Sequence, residues 1–151
     1  MRILVINGPN LNLLGVRRPE VYGTTTLAEL EELCRAWGEG LGLEVETFQS
    51  NHEGEIIDHL HGALGSAAGV VLNPGALAHY SYALHDAIEA VSLPVVEVHL
   101  SDISRREEWR ARSVVSPACV ASIRGHGVEG YHQALEFLAG RAGASSRGER
   151  E

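Results

Sequence analysis

The chain has 151 residues, with 12 basic residues, all arginine, against 20 acidic ones, a net charge of −8. That length makes one domain of ordinary size, and 44% hydrophobic against 21% charged residues is a globular balance. So acidic a chain weighs against non-specific binding to nucleic acid or an anionic membrane. The absence of lysine excludes a lysine Schiff base and the phosphate-gripping lysine of a P-loop.

Two cysteines, Cys34 and Cys119, lie far apart and outside any CxxC. They read as free, buried thiols of a reducing cytoplasm, with no structural zinc. The N-terminal apolar run is too short for a signal peptide. No stretch approaches the roughly 18 apolar residues of a membrane span.

Ile3 to Ile6 is a short apolar run ending at Asn7-Gly8-Pro9-Asn10, and it predicts a buried strand. Thr26-Leu-Ala-Glu29 is a capping box. It starts a helix with Leu27, Leu30, Cys34, Trp37 and Leu41 at helical spacing, ended by Gly40 and Gly42. Leu43 to Phe48 predicts a second strand, and Ile56, Ile57, Leu60 and Leu64 a second helix. Gly69 to Leu72 reads as a third strand, Ser81 to Val91 as a third helix, and Pro94 to Val98 as a fourth strand. A short polar helix is expected over Arg105 to Trp109, a weaker strand over Cys119 to Ile123, and a last helix over Val128 to Ala139. The domain then covers 1–141, with a flexible tail over 142–151. Strands alternating with helices argue a parallel sheet covered on both faces. Five strands in this length fit a flavodoxin-like, doubly wound α/β fold.

In such sheets ligands bind beyond the carboxyl ends of the strands. Here those ends are polar: Asn7 and Asn10, Gln49 and Asn51, Asn73, then His99 and Ser101. Asparagine and serine favour turns, yet four polar strand ends with a histidine among them point to a site. The loop Gly8 to Gly23 is long for a strand-to-helix connection, as lids and binding loops are. It carries Arg17, Arg18 and Tyr22, and a guanidinium fixed beside a tyrosine favours the phenolate, a usable base. Glu97 and His99 project from the same face of a strand, so the carboxylate can orient the imidazole and favour its charged form. A hydrogen-bonded buried histidine is the plainer reading. Arg106 and Arg110 are four apart and would share a helical face, either solvated or holding an anionic or polyhydroxy substrate. The turn from Asn73 through Gly75 and Ala76 to His79 offers backbone N–H groups to a carboxylate. Asp86 lies seven residues after His79, so the two are expected to share one face of the helix that this turn leads into.

Other patterns carry less. Gly125-His-Gly127-Val-Glu-Gly130 spells GxGxxG but lacks a following strand with its acid, so it reads as a tight turn. His52-Glu53 does not continue as HExxH, and there is no GxSxG. His59 and His61 read as surface residues, Trp37 and Phe137 as core.

The segments GPNLNLLG with Arg17 and Tyr22, QSNHEGEIID, LNPGALAHYSYALHDAI, EVHLS, REEWR and GVEGY together resemble type II 3-dehydroquinate dehydratase, a shikimate-pathway family. The resemblance runs from residue 3 to about 138. It implies a flavodoxin-like fold, a homododecamer of four trimers, and dehydration of 3-dehydroquinate to 3-dehydroshikimate with neither metal nor organic cofactor. By position it implies Tyr22 as base, Arg17 as the charge that activates it, and Asn10 as the residue ordering a water at the enolate. His99 is implied as acid, oriented by Glu97. Asn73, Gly75, Ala76, Leu100 and Ser101 are implied as the substrate pocket, His79 and Arg110 as holding ring hydroxyls, and Asp86 as reaching a neighbouring subunit's site. Gly15 to Gly23 would be a lid. Asp102, Ser104 and Arg18 depart from the residues common in the family. Two other readings are a flavin or nucleotide binding module, and a phospho-acceptor receiver. The first loop lacks the Ser/Thr run of a flavin phosphate site, and the receiver's acids and lysine are missing.

Overall fold

Apolar runs flanked by polar turns make the strands. A computed structural model describes residues 1–148. The strands are β1 (Arg2–Asn7), β2 (Glu44–Gln49), β3 (Gly69–Asn73), β4 (Val95–His99) and β5 (Ala121–Arg124). All pair in parallel, in the order β2-β1-β3-β4-β5. The helices are α1 (Pro19–Tyr22), α2 (Leu27–Gly40), α3 (Glu53–Ala63), α4 (Tyr82–Val91) and α5 (Glu129–Gly148). This is the doubly wound α/β architecture expected from the sequence.

Alternating side chains of the strands feed two cores. Leu4, Ile6, Val70 and Leu72 pack under α3 and α4 against Ile56, Leu60, Leu84 and Ile88. Ile3, Val5, Val71 and Val98 pack under α2 and α5 against Leu30, Cys34, Tyr131 and Leu135. Burial on both faces is why the central strands β1 and β3 are near-continuous apolar runs, whereas the edge strand β2 alternates. The helix starts are equally local. Thr26 Oγ1 accepts from the Glu29 amide (3.2 Å), the first half of the expected box, and the Glu29 carboxylate answers by accepting from the Thr26 hydroxyl (3.0 Å). Ser81 Oγ accepts from the Leu84 amide (3.0 Å) at the head of α4.

Several expectations need correction. No helix spans Arg105 to Trp109. Two single 3₁₀ turns, Ile103–Arg105 and Glu108–Arg110, replace it. Asp102 caps the first by accepting from the Ser104 amide (3.1 Å), and Arg106 then turns extended and breaks the run. The fifth strand begins at Ala121 because Ser116–Ala118 forms a 3₁₀ turn with proline at its start. The last helix continues through Gly148. Gly140 costs it about 1 kcal/mol against alanine but does not stop it. Of the expected tail, residues 149–151 lie outside the described residues. Phe137 is exposed rather than core, beneath the Arg141 guanidinium (6.0 Å). Trp37 is half-buried, stacked on His132 (4.7 Å). His61 is exposed, but His59 lies half-buried and flat on Phe48 (3.7 Å). Cys34 is buried and Cys119 half-buried, both free.

The chain winds outward from β1 to β2, then returns to place β3 on the other side of β1. The switch point therefore lies between the ends of β1 and β3, where ligands collect in such folds. The two strand ends touch there. The Gly8 amide donates to the Asn73 carbonyl (2.8 Å), and a Cβ at position 8 would meet the Pro74 carbonyl oxygen at 2.6 Å. Backbone cannot step aside as a side chain can, so Gly8→Ala is expected to lose on the order of 1–3 kcal/mol. Thermal unfolding of the variant checks this, and an unchanged midpoint would contradict the close contact.

Candidate active site

A cleft of about 590 Å³ opens above this switch point. The β1 end contributes Asn10, and the long loop contributes Arg17 and Tyr22. From the β3 end come Asn73, Gly75, Ala76 and His79, and from the β4 end His99, Leu100 and Ser101. Arg106 and Arg110 close it from the 3₁₀ turns. Among the described residues no carboxylate lines it. The fold thus brings together eleven of the thirteen residues expected at the site. Glu97 lies immediately behind His99, and Asp86 lies elsewhere.

Two strand-end residues have a different task from lining. Gln49 Nε2 donates to the Gly8 carbonyl (3.2 Å) and to Asn51 Oδ1 (3.1 Å), and Asn51 Oδ1 also accepts from the Asn10 amide (2.9 Å). These bonds hold Asn10, whose backbone is left-handed (φ 71°), in place at the cleft.

Tyr22 ends the single turn of α1, with Pro19 pre-set at its start. The Arg17 guanidinium lies 4.8 Å from its ring centroid and that of Arg106 5.1 Å. Arg106 Nη1 donates to the phenol oxygen at 2.6 Å. Sequence reasoning chose Arg17 alone as the partner. The pairing of Arg106 with Arg110 on one helical face hinted at a second arginine, but that helix is absent and the two side chains part. Arg110 instead stacks on Trp109 (3.9 Å) and forms an ion pair with Glu107 (2.7 Å). That pair is close but poorly aligned, so Arg110 Nε makes no hydrogen bond. Arg106 Nη2 is likewise buried without one. A donor left without any partner among the described residues, as Arg106 Nη2 is, is costly, and an anionic or hydroxylated ligand would satisfy it.

His99 presents its Nε2 to the Glu97 carboxylate at 2.6 Å, which leaves Nδ1 for the cleft. Glu97 has no exposed surface. It accepts from Ser113 (2.7 Å), Ser122 (3.3 Å) and Ser116 besides His99, and Arg124 donates to Ser116 (2.9 Å) and Ser122 (3.1 Å) from behind. Burial alone would raise its pKa. The hydrogen bond and charge of His99, with the Ser116 and Ser113 hydroxyls, outweigh burial and hold it down at about 2. The serine cradle and Arg124 carry no motif and were missed in the sequence. His79 stacks near His99 (6.4 Å between centroids). Its Nδ1 lies 2.7 Å from the Arg112 carbonyl; a carbonyl only accepts, so Nδ1 carries the hydrogen. Burial lowers the His79 pKa, with His99 and Arg110 acting in the same direction against the Arg112 bond. Neutral His79 thus offers Nε2 as an acceptor.

His79 belongs to the 3₁₀ turn Gly75–His79 and not to α4, so it shares no helical face with Asp86. Asp86 sits in a separate depression with Tyr82, His85 and Arg112. The GxGxxG segment is a turn, as expected. The Gly125 amide donates to the His99 carbonyl (3.3 Å) and the Gly127 amide to that of Leu100 (3.0 Å), so both are spent on β4 rather than free for a phosphate. Among the described residues, two groups of one histidine and two carboxylates could converge on an ion, His85-Asp86-Glu89 and Glu129-His132-Glu136. Neither lies in the cleft. No helix among them is long and apolar enough to cross a membrane.

The family model for class II dehydroquinase matches residues 1–139. A 3-dehydroquinate dehydratase of Bacillus licheniformis is 55% identical over 136 residues, covering 90% of this chain and 94% of its own. One from Thermus thermophilus is 56% identical over 142 residues, covering 91% and 93%. The crystal structure of a type II dehydroquinase from Butyrivibrio crossotus superposes with a TM-score of 0.90 at 46% identity, covering 91% of this chain and 97% of that one.

The Glu97 site has a pH signature. Its folded pKa of about 2 lies below the ordinary 4.5, so the unfolded chain binds the proton more readily. Its contribution to stability, of order a few kcal/mol, is then full above about pH 4.5 and drains as pH falls toward about 2. Denaturant midpoints followed across that window are expected to fall more steeply for the wild type than for Glu97→Gln. Equal slopes would contradict the assignment.

Proposed function

The chain belongs to the class II dehydroquinase family, and from that membership we propose that it is a lyase that dehydrates 3-dehydroquinate in this cleft, with Tyr22 as base and His99 as acid. The observation that carries the reading is the meeting of two unlike groups in one cleft. One is a phenol between two guanidinium groups, and the other an imidazole bound to a buried carboxylate.

The substrate is a β-hydroxy ketone, whose loss of water needs a base, a stabilised enolate and an acid. Tyr22 as base takes a proton from the carbon beside the ketone, and the electron pair moves onto the carbonyl oxygen. Arg17 and Arg106 stabilise negative charge on the phenol oxygen, and Asn10 orders a water at the enolate. The enolate then collapses, a carbon–carbon double bond forms, and the carbon–hydroxyl bond breaks. His99 donates a proton to the departing hydroxyl, which leaves as water. Glu97 keeps the imidazole turned so that its second nitrogen faces the substrate.

Asn73, Leu100 and Ser101 bind the substrate carboxylate and adjoining hydroxyl, Gly75 and Ala76 line the pocket beside them, and His79 and Arg110 take ring hydroxyls. Every acid–base step falls to a side chain, so the reading calls for no metal or organic cofactor. Residues 1–141 form the catalytic domain, with Gly15 to Gly23 as its lid. Asp86 serves a neighbouring subunit's cleft within a dodecamer of four trimers. Support for that role is its position outside its own cleft, beside the exposed Tyr82. The unpaired Cys34 and Cys119 suit the cytoplasm.

Water loss creates a conjugated enone carboxylate, so mixing the protein with 3-dehydroquinate is expected to raise ultraviolet absorbance. A flat trace from folded protein would remove the reading. Tyr22→Phe is expected to fold normally and lose on the order of 10²–10⁴ in kcat. Ordinary turnover by that variant would remove Tyr22 from its role.

A further inference from the structure

Asn73 reaches the cleft from the end of β3, and its amide is pinned in one orientation by a chain of bonds through the sheet. The Gly75 amide lies 3.1 Å from Asn73 Oδ1. A backbone N–H only donates, so the atom facing it is the oxygen. The nitrogen of Asn73 therefore faces the Tyr131 hydroxyl, at 2.9 Å, and donates to it. The hydroxyl, having accepted, sends its own hydrogen to Asn7 Oδ1, at 2.6 Å. Each bond sets the direction of the next. Tyr131 has no exposed surface and sits at the start of α5. Burial raises its pKa well above the usual range, so the hydroxyl keeps its hydrogen. The second N–H of Asn73 has no partner among the described residues, on a side chain that lines the cleft.

We propose that Tyr131 is a positioning residue for substrate binding: through Asn7 and Asn73 it holds the Asn73 amide with its nitrogen as donor to the substrate and its oxygen turned away. The inference rests on the dehydratase reading and deepens it. Without the hydroxyl, Asn73 keeps only the Gly75 bond and can rotate, and an oxygen rather than an N–H then meets the substrate for part of the time. Tyr131 touches neither the substrate nor the reacting atoms, so its effect passes entirely through Asn73.

Tyr131→Phe removes one oxygen and little volume. It is expected to raise KM for 3-dehydroquinate by about fivefold to tenfold, with kcat changed by less than about twofold. In an Asn73→Ala background the same substitution is expected to change KM no further, because the residue it acts through is gone. A folded Tyr131→Phe protein with unchanged KM overturns the proposal. So does an equal rise in KM in both backgrounds, which is what a purely structural role produces. If Tyr131→Phe does not fold, Asn7→Ala, which unties the chain from its far end and lies outside the cleft, is put through the same cycle with the same criteria. Wild-type turnover is measured alongside. An inactive wild type overturns the dehydratase reading itself, whereas an active wild type with an indifferent variant overturns only the role of Tyr131.

Discussion

The Glu97 carboxylate sits between Val96 and Val98 in β4, with no surface open to solvent. An ion in that position is tolerated only when its oxygens are fully partnered. Three hydroxyls and an imidazole supply the partners, and they come from β4 itself, from the 113–116 segment and from β5. Satisfying one charge therefore ties together the edge of the sheet and the loop that precedes it. The same bonds orient His99, so the constraint that organises this side of the molecule also prepares its chemistry.

The cleft shows how charge is distributed in an acidic chain. A net charge of −8 would repel a carboxylate at long range, yet three arginines and two histidines line the cleft with no acid among them. Outside the cleft, Arg18 is paired with Glu20 (3.3 Å) and Arg2 with Glu46. Positive side chains are thus gathered in the cleft, although the chain as a whole is acidic. Two of the departures from the family pattern also answer one another. Ser104 donates to Asp102 through both its amide (3.1 Å) and its hydroxyl (2.5 Å). The Ser104 hydroxyl is the main cause holding the Asp102 carboxyl below its usual range. The pair forms a self-contained cap on a 3₁₀ turn and leaves the cleft lining intact.

Periodicity and capping made most of the fold legible, because these signals act within a few residues. Five strands, the start of α2 and the cap of α4 follow from them. Expectations failed where local pattern met a competing interaction. Arg105 to Trp109 has helical composition, but Asp102 caps one short turn and Arg106 extends toward Tyr22. Phe137 has core spacing, yet it falls on the outer face of α5. His79 and Asp86 are seven apart, but His79 belongs to the 3₁₀ turn before α4 and Asp86 to α4 itself.

The sequence by itself determined a doubly wound sheet with polar strand ends, and it marked Tyr22, Arg17, Asn73, Glu97 and His99 as the residues to watch. Only the tertiary structure decided that Arg106 meets Tyr22, that three serines and Arg124 surround Glu97, that Tyr131 orients Asn73, and that Asp86 lies outside its own cleft. Each of these contacts joins elements packed across the sheet or around its edge. The arginine at Tyr22, the serines at Glu97 and the tyrosine at Asn73 come from 16 to 84 positions away in the chain. Spacing along a helix or strand carries information over a turn or two, whereas contacts of this kind depend on how whole layers dock.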